Sequence, residues 1–154
     1  MSPTKKVAII GGGASGLICA IFCAKSSISV DLFEQNEKCA KKILASGNGR
    51  CNITNISATP NDYFSQNPLF TQNALTEFGY EQFEKFCNSI GLILDVKEDG
   101  KVYPLSNEAK SVAALLTEYA TNLGVSFHFQ EKITSLEPLL RKYDAVVVAT
   151  GSQA

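Results

Sequence analysis

The sequence predicts a doubly wound α/β domain, a mainly parallel sheet with helices on both faces, to which a small β-hairpin is added. Three observations carry that expectation. The stretch up to Glu34 reads as strand, glycine turn, helix and strand, which is the βαβ unit of a parallel sheet. Two later apolar runs, Val125 to Phe129 and Asp144 to Ala149, supply further strands of the same kind. Composition agrees: 154 residues with 45% apolar and 19% charged side chains can bury a core without staples.

Val7 to Ile10 is short, apolar and β-branched, as a strand covered on both faces should be. From Ala14 to Lys25 good helix formers follow, with Leu17, Ile18, Ile21 and Phe22 spaced to face a sheet and Ser26 and Ser27 ending the pattern. Ser29 to Phe33 alternates into a second strand with Glu34 at its end. Between Gln35 and Pro68 no apolar period is sustained and Gly, Asn, Ser and Thr dominate, so a long functional loop is expected there. Short helices are predicted over Thr71 to Phe78 and Tyr80 to Ser89, the second with Phe83, Phe86 and Cys87 on one side and Gly91 closing it. Leu92 to Val96 and Lys101 to Tyr103 flank Glu98-Asp99-Gly100 as a hairpin. Ser106 or Asn107 can cap a helix running to about Asn122, with Val112, Leu115, Leu116 and Tyr119 inward and Gly124 beyond its end.

Charge and cysteine content exclude several functions. Fourteen basic against fifteen acidic residues leave a net charge of -1, so no global field draws in nucleic acid or an anionic membrane. Five cysteines (Cys19, Cys23, Cys39, Cys51, Cys87) form neither an even disulfide set nor paired zinc spacings, and no metal site is expected. Reduced thiols suit the cytoplasm. The apolar run from Val7 to Ala24 is broken by Gly11, Gly12, Gly13 and Gly16 and is followed by no small-residue cleavage site before Asp31, so it is read as neither signal peptide nor membrane span.

The strongest local motif is Gly11-Gly12-Gly13-Ala14-Ser15-Gly16, a G-x-G-x-x-G between strand and helix. Gly11 permits the tight turn, Gly13 leaves bare backbone where a pyrophosphate approaches, and Gly16 lets the helix pack on the strand, while the helix N-terminus offers free N–H groups. Glu34 lies 34 − 13 = 21 positions after Gly13, where a carboxylate can accept both hydroxyls of a ribose. A Rossmann-like dinucleotide site of the FAD or NAD type follows, with NADP disfavoured by the charge of Glu34.

Further on, Lys41-Lys42-Ile43-Leu44-Ala45-Ser46-Gly47-Asn48-Gly49-Arg50-Cys51-Asn52-Ile53-Thr54-Asn55 resembles the K-K-x-x-x-S-G-x-G-R-C-N-x-T-N stretch of the aminoacetone-oxidase-type FAD-binding proteins, the BaiN or YhiN-like flavoprotein family. The resemblance runs from the glycine turn to Ala149-Thr150-Gly151, which is similar to the A-T-G strand end of two-domain flavoproteins. It implies FAD as cofactor, with Gly11, Gly13, Ala14, Ser15 and Gly16 on the pyrophosphate and Glu34, with Gln35 beside it, on the adenosine ribose. It also implies that Lys42, Asn48, Gly49, Arg50, Cys51 and Asn52 line the flavin side, that Ile133 meets adenine through its backbone, and that Ala149, Thr150 and Gly151 belong to the cofactor site. Members of that family are more than twice as long and carry an inserted second domain. Residues 1–154 are therefore expected to be the N-terminal part of the FAD-binding domain, inactive alone. Lys132 to Tyr143 departs from the family pattern, being short where relatives carry a three-stranded meander.

Read on its own chemistry, the Lys38, Lys41, Lys42 and Arg50 cluster against Glu37 suits phosphates or the N1/O2 region of a flavin. Arg50 beside Cys51 could lower the thiol pKa, although no second cysteine stands at Cys-x-x-Cys spacing and a packed thiol is the plainer reading. His128 is expected to face away from the core, and Cys19 and Cys23 to be packing residues. No catalytic acid or base emerges from these residues. The expected function is the FAD-binding part of a flavin-dependent oxidoreductase acting on a small-molecule substrate, with NAD(P)H as candidate electron donor and without nucleic-acid or membrane partners. The rivals are an NAD-dependent dehydrogenase domain and a non-catalytic fragment that binds its dinucleotide weakly.

Overall fold

A computed structural model describes residues 5–64, 66–67 and 69–151. The chain divides into two compact units, one comprising the segments up to Ala45 and from Ala113 onward, the other Ser46–Val112.

The first unit is built on a four-stranded parallel sheet. Strand β1 (Lys6–Ile10) leads through helix α1 (Ala14–Lys25) to β2 (Ser29–Glu34), followed by the one-turn helix α2 (Lys41–Ala45). The second unit contributes β3 (Thr54–Asn55), α3 (Gln72–Glu77), α4 (Tyr80–Ser89), β4 (Leu94–Val96) and β5 (Lys101–Pro104). Helix α5 (Ala109–Asn122), β6 (Ser126–Phe129), α6 (Glu137–Lys142) and β7 (Ala145–Val148) complete the chain. Strand order is β6-β2-β1-β7 in the first sheet. The β1-to-β2 and β6-to-β7 crossovers run in opposite directions across it. Right-handed connection then sets α1 and α6 on opposite faces, the doubly wound arrangement.

Register and packing agree with that arrangement. Ala8 pairs with Asp31 and Ile10 with Phe33, and Ala8, Ile10 and Phe33 share a buried cluster with Leu139 of α6 and Tyr143. Ile9 and Leu32, of the opposite parity, are fully buried, as are Leu17, Ala20 and Ile21 of α1. The apolar stripe of α1 is thus Gly16, Leu17, Ala20 and Ile21; Ile18 is half-buried and Phe22 is 43% exposed, contrary to the spacing argument, because small residues bring this helix close to the sheet. The hairpin forms as expected, its turn closed by hydrogen bonds from Gly100 N–H to Lys97 C=O and Lys97 N–H to Lys101 C=O, and β3 extends it to a three-stranded antiparallel sheet. In α5, Val112 and Leu116 are buried with Ala113 and Ala120, while Leu115 and Tyr119 are half-buried. Ser106 Oγ accepts the Glu108 N–H ahead of this helix.

Three expectations need correction. The 35–68 segment is not one loop: it contains α2, a 3-10 turn at Ser46–Gly49, β3 and a 3-10 turn at Pro60–Asp62, all too short to show a period; Ser65 and Pro68 lie outside the described residues. Residues 132–143 hold α6, whose ends carry Glu137 and Pro138 at the start and Arg141 and Lys142 at the finish. Among the described residues the apolar strand β7 lies at the edge of the sheet, paired with β1 alone, and Val148 is 58% exposed. No helix among the described residues is long and apolar enough to cross a membrane.

Candidate functional site

The glycine turn sits at the carboxyl end of β1, in the first unit. Gly11 has φ +104, and a Cβ there would stand 2.5 Å from Ala149 O, so the turn and the end of β7 press together. At Gly16 a Cβ would strike the Gly11 carbonyl, which is the close helix approach the motif implies. Gly13 differs: its backbone is ordinary and extended (φ −73, ψ −175), and a Cβ there would meet nothing within 4 Å. It is the N-cap of α1, whose first intrahelical bond runs from Leu17 N–H to Gly13 C=O at 2.9 Å. The N–H groups of Gly13, Ala14, Ser15 and Gly16 therefore lack intrahelical acceptors, and no acidic residue occupies the first turn to quench the dipole. Ala14 and Ser15 are exposed beside that open ground.

Glu34 reaches back to this turn. Its Oε2 accepts the Gly12 N–H at 2.7 Å, and its Oε1 accepts both the Asn36 backbone N–H at 2.8 Å and the Asn36 side-chain amide at 2.5 Å. The Gly12 carbonyl accepts the Ala40 N–H at 2.7 Å, so the Gly12 peptide is held from both sides. Cys39 Sγ fills the place a Gly12 side chain would take. Burial, with the Glu34 charge adding to it, pushes the Cys39 thiol up to about 12. Neither Gly12 nor the Cys39–Ala40 pair was singled out from sequence; Ala40 at φ +63 could not be read without coordinates.

Among the remaining candidates, Gln35 is exposed on the turn after β2, and Ile133 packs against the Ala8, Ile10, Phe33, Leu139 and Tyr143 cluster. The Lys42 ammonium lies 3.8 Å from where a Gly151 Cβ would be, which brings α2 to the end of β7. Ala149 donates its N–H to Ile10 O at 2.8 Å, and Thr150 is exposed. Asn48, Gly49, Arg50, Cys51 and Asn52 belong to the second unit, and Lys38, Lys41 and Lys42 to the first.

In the second unit the Ser46–Asn52 loop is folded on itself. Gly47 (φ +55), Asn48 (φ +53), Gly49 (φ +82) and Cys51 (φ +61) are all left-handed, and Cys51 N–H donates to Ser46 C=O. A Cβ on Gly47 would stand 2.5 Å from Asn52 N. The Arg50 guanidinium lies over the Tyr103 ring at 5.3 Å, and its Nε donates to Gly47 O at 3.4 Å. Cys51 is buried, in line with the plainer reading of a packed thiol: burial pushes its pKa up, partly countered by a hydrogen bond with Ser46.

The sequence also gave no hint of a charged knot on the α6 side of the sheet. Asp31 is buried, with Lys6 Nζ at 2.9 Å, His128 Nε2 at 2.9 Å and the Tyr143 hydroxyl at 2.7 Å. Burial opposes its charge, but the bonds from His128, Lys6 and Tyr143 prevail and lower its pKa to about 2. His128 stacks on Phe33 at 4.6 Å, so it is engaged with the sheet rather than turned away from it. All five cysteines are free, and no cluster that could hold a metal occurs among the described residues.

Residues 5–154 match the family described as HI0933-like protein Rossmann domain. Among curated proteins the chain is 35% identical to a 3-dehydro-bile acid delta(4,6)-reductase of Clostridium scindens, over 97% of this chain and 39% of that protein. It is 34% identical to a ribosomal RNA dihydrouridine synthase of Haemophilus influenzae, over 89% of this chain and 34% of that protein. It thus spans little more than a third of either relative. Among solved structures it resembles the 3-ketosteroid-delta4-(5alpha)-dehydrogenase of Rhodococcus jostii RHA1 (TM-score 0.58, 12% identity, 84% of this chain and 39% of that one). It also resembles THI4 of Thermovibrio ammonificans (TM-score 0.53, 16% identity, 81% of this chain and 37% of that one). At such identities the likeness is one of fold.

Proposed function

The chain belongs to the HI0933-like family, the BaiN/YhiN-type group that the Lys41–Asn55 stretch resembles, and on that premise we propose that it binds FAD and forms the cofactor-binding part of a flavin-dependent oxidoreductase. The observation that carries the reading is the open ground at Gly13. Gly11 and Gly16 are bare because the protein's own backbone crowds them, whereas nothing in the described chain needs Gly13 to lack a side chain. Bare backbone facing unfilled space at a helix N-terminus is what a pyrophosphate requires.

The residues fit that group. Gly11, Gly13, Ala14, Ser15 and Gly16 would hold the pyrophosphate, Glu34 and Gln35 the ribose end and Ile133 the adenine, with Ala149, Thr150 and Gly151 closing the turn. Lys42 beside Gly151 brings a positive charge to the same strand end; Asn48, Gly49, Arg50, Cys51 and Asn52 are proposed for the flavin side on the family resemblance alone. When bound, FAD supplies hydride or electron transfer through its ring system. The chain's own part is to bind, orient and neutralise charge, and no residue in it is assigned as a proton donor.

NAD(P)H as electron donor and a small molecule as substrate complete the proposal, in keeping with the net charge of -1. RNA is the second candidate substrate, on the strength of the relative named for ribosomal RNA. The protein should purify yellow with flavin absorbance, or take up added FAD with quenching of flavin fluorescence. Gly13→Ala should weaken FAD at least tenfold while leaving the melting temperature within about 2 °C of wild type. An NAD-loaded protein that ignores FAD would overturn the cofactor assignment.

A further inference from the structure

The acceptor positions of Glu34 carry the FAD reading one step further. A carboxylate offers about four lone-pair positions, two on each oxygen. Oε1 already receives two donors, the Asn36 backbone N–H at 2.8 Å and the Asn36 amide at 2.5 Å. Oε2 receives the Gly12 N–H at 2.7 Å. One position remains, on Oε2. A ribose presents two adjacent hydroxyls, and when both act as donors Glu34 cannot accept both without losing one of the bonds it holds to Gly12 or Asn36.

Asn36 itself provides the missing acceptor. The atom it sets on the carboxylate must be Nδ2, since Oδ1 there would oppose two acceptors, and this fixes the amide's orientation. Oδ1 then receives no hydrogen bond from any described residue. The residue is half-buried, and its backbone is pinned on two sides. Its N–H is on Glu34, and its carbonyl accepts the Gln130 N–H at 3.1 Å, next to the bond from Glu131 N–H to Glu34 C=O at 3.0 Å. An acceptor carried on so constrained a backbone, bonded directly to the carboxylate, is held ready for a neighbouring hydroxyl.

We infer that the ribose diol is read by two residues, one hydroxyl donating to Glu34 Oε2 and the other to Asn36 Oδ1, which makes Asn36 a specificity-determining residue for the adenosine half of the cofactor. This rests on the FAD reading above. It differs from the sequence expectation, in which Glu34 accepts both hydroxyls.

The test is binding of ADP, 2′-deoxy-ADP and 3′-deoxy-ADP to the chain by titration calorimetry, in wild type and in Asn36→Ala, with melting temperature as the check on folding. In wild type each missing hydroxyl should weaken binding, about threefold for the one on the amide and tenfold or more for the one on the carboxylate. In Asn36→Ala one of these two penalties should disappear and the other persist. Asn36→Ser, which shortens the reach but keeps a polar side chain, should do the same and serves if the alanine variant does not fold. Both penalties surviving would mean that Glu34 reads the diol alone, and both vanishing would mean that Asn36 only props the carboxylate; either overturns the inference. A chain that binds FAD but shows no hydroxyl penalty in wild type overturns it while the FAD reading stands. A chain that binds neither FAD nor ADP removes both.

Discussion

In the first unit Ala8, Ile9, Leu17, Ala20, Ile21 and Leu32 are fully buried, and its two buried carboxylates, Asp31 and Glu34, are each met by three hydrogen-bond donors or cations. In the second unit Cys87, Val102 and Pro104 reach that degree of burial, while Phe64 is 97%, Leu69 63% and Phe70 56% exposed. A shallow cavity of about 220 Å³ opens beside β3, walled in part by Ile53, Tyr63, Phe78 and Phe83. The first unit takes its shape from parallel pairing between distant segments, where each side chain must fit against others already placed. The second takes its shape from a hairpin and from turns with left-handed residues. Added volume should therefore hurt the first unit most, and lost backbone freedom the second.

Gly16→Ala tests the harsher half of that contrast. The new methyl would strike the Gly11 carbonyl, which is backbone fixed by the bond from Gly11 N–H to Phe33 C=O and by that from Ala149 N–H to the preceding Ile10 C=O, and cannot swing aside. Overpacking against fixed atoms should cost about 3 kcal/mol, or about 10 °C in melting temperature for a chain of this size. A variant that melts with wild type would show that α1 can slide outward, and that the first unit is looser than its burial suggests.

Asp31→Asn should have the next largest effect, and a pH signature. The folded pKa of about 2 lies below the ordinary carboxylate value of 3.8, so the charge of Asp31 favours the folded state at and above pH 4. That contribution is lost as pH falls through 2, because the protonated form no longer balances Lys6 and His128. About 2 kcal/mol is at stake at neutral pH. Denaturant midpoints taken from pH 7 to pH 2 should fall more steeply below pH 4 in wild type than in Asp31→Asn, and parallel curves would remove the knot from the first unit's stability.

How much of this was legible follows the same division. The βαβ unit, Glu34 at 21 positions from Gly13, and the hairpin around Asp99-Gly100 could all be read because period and turn chemistry are local properties. The Asp31 knot could not, because Lys6, His128 and Tyr143 meet it only through strand register and the α6 crossover. Helix α6 was missed although Ser135, Pro138 and the terminal charges were present, since six residues are too few for a period to emerge. Helix α2 and β3 are shorter still. At the candidate site, the jobs of Gly11 and Gly16 followed from the motif; the two-sided hold on the Gly12 peptide depends on Ala40 adopting φ +63, which its residue type gives no reason to expect.

The mildest substitution, Gly49→Ala, asks whether the second unit answers to backbone freedom alone. Gly49 has φ +82, and a Cβ there would meet nothing within 4 Å, so the penalty is the left-handed conformation itself, about 1 kcal/mol. Its neighbours Asn48 and Cys51 already adopt such angles with full side chains, which shows that the loop tolerates this strain when its internal hydrogen bonds are in place. Gly47→Ala should cost more, because its methyl would also press on the Asn52 backbone at 2.5 Å. Melting temperatures that rank wild type above Gly49→Ala, and Gly49→Ala above Gly47→Ala, would confirm that conformation and contact add separately here. Equal losses at the two positions would mean that the space at Gly49 is filled in the folded protein, and the distinction between the two units would then narrow to their sheets.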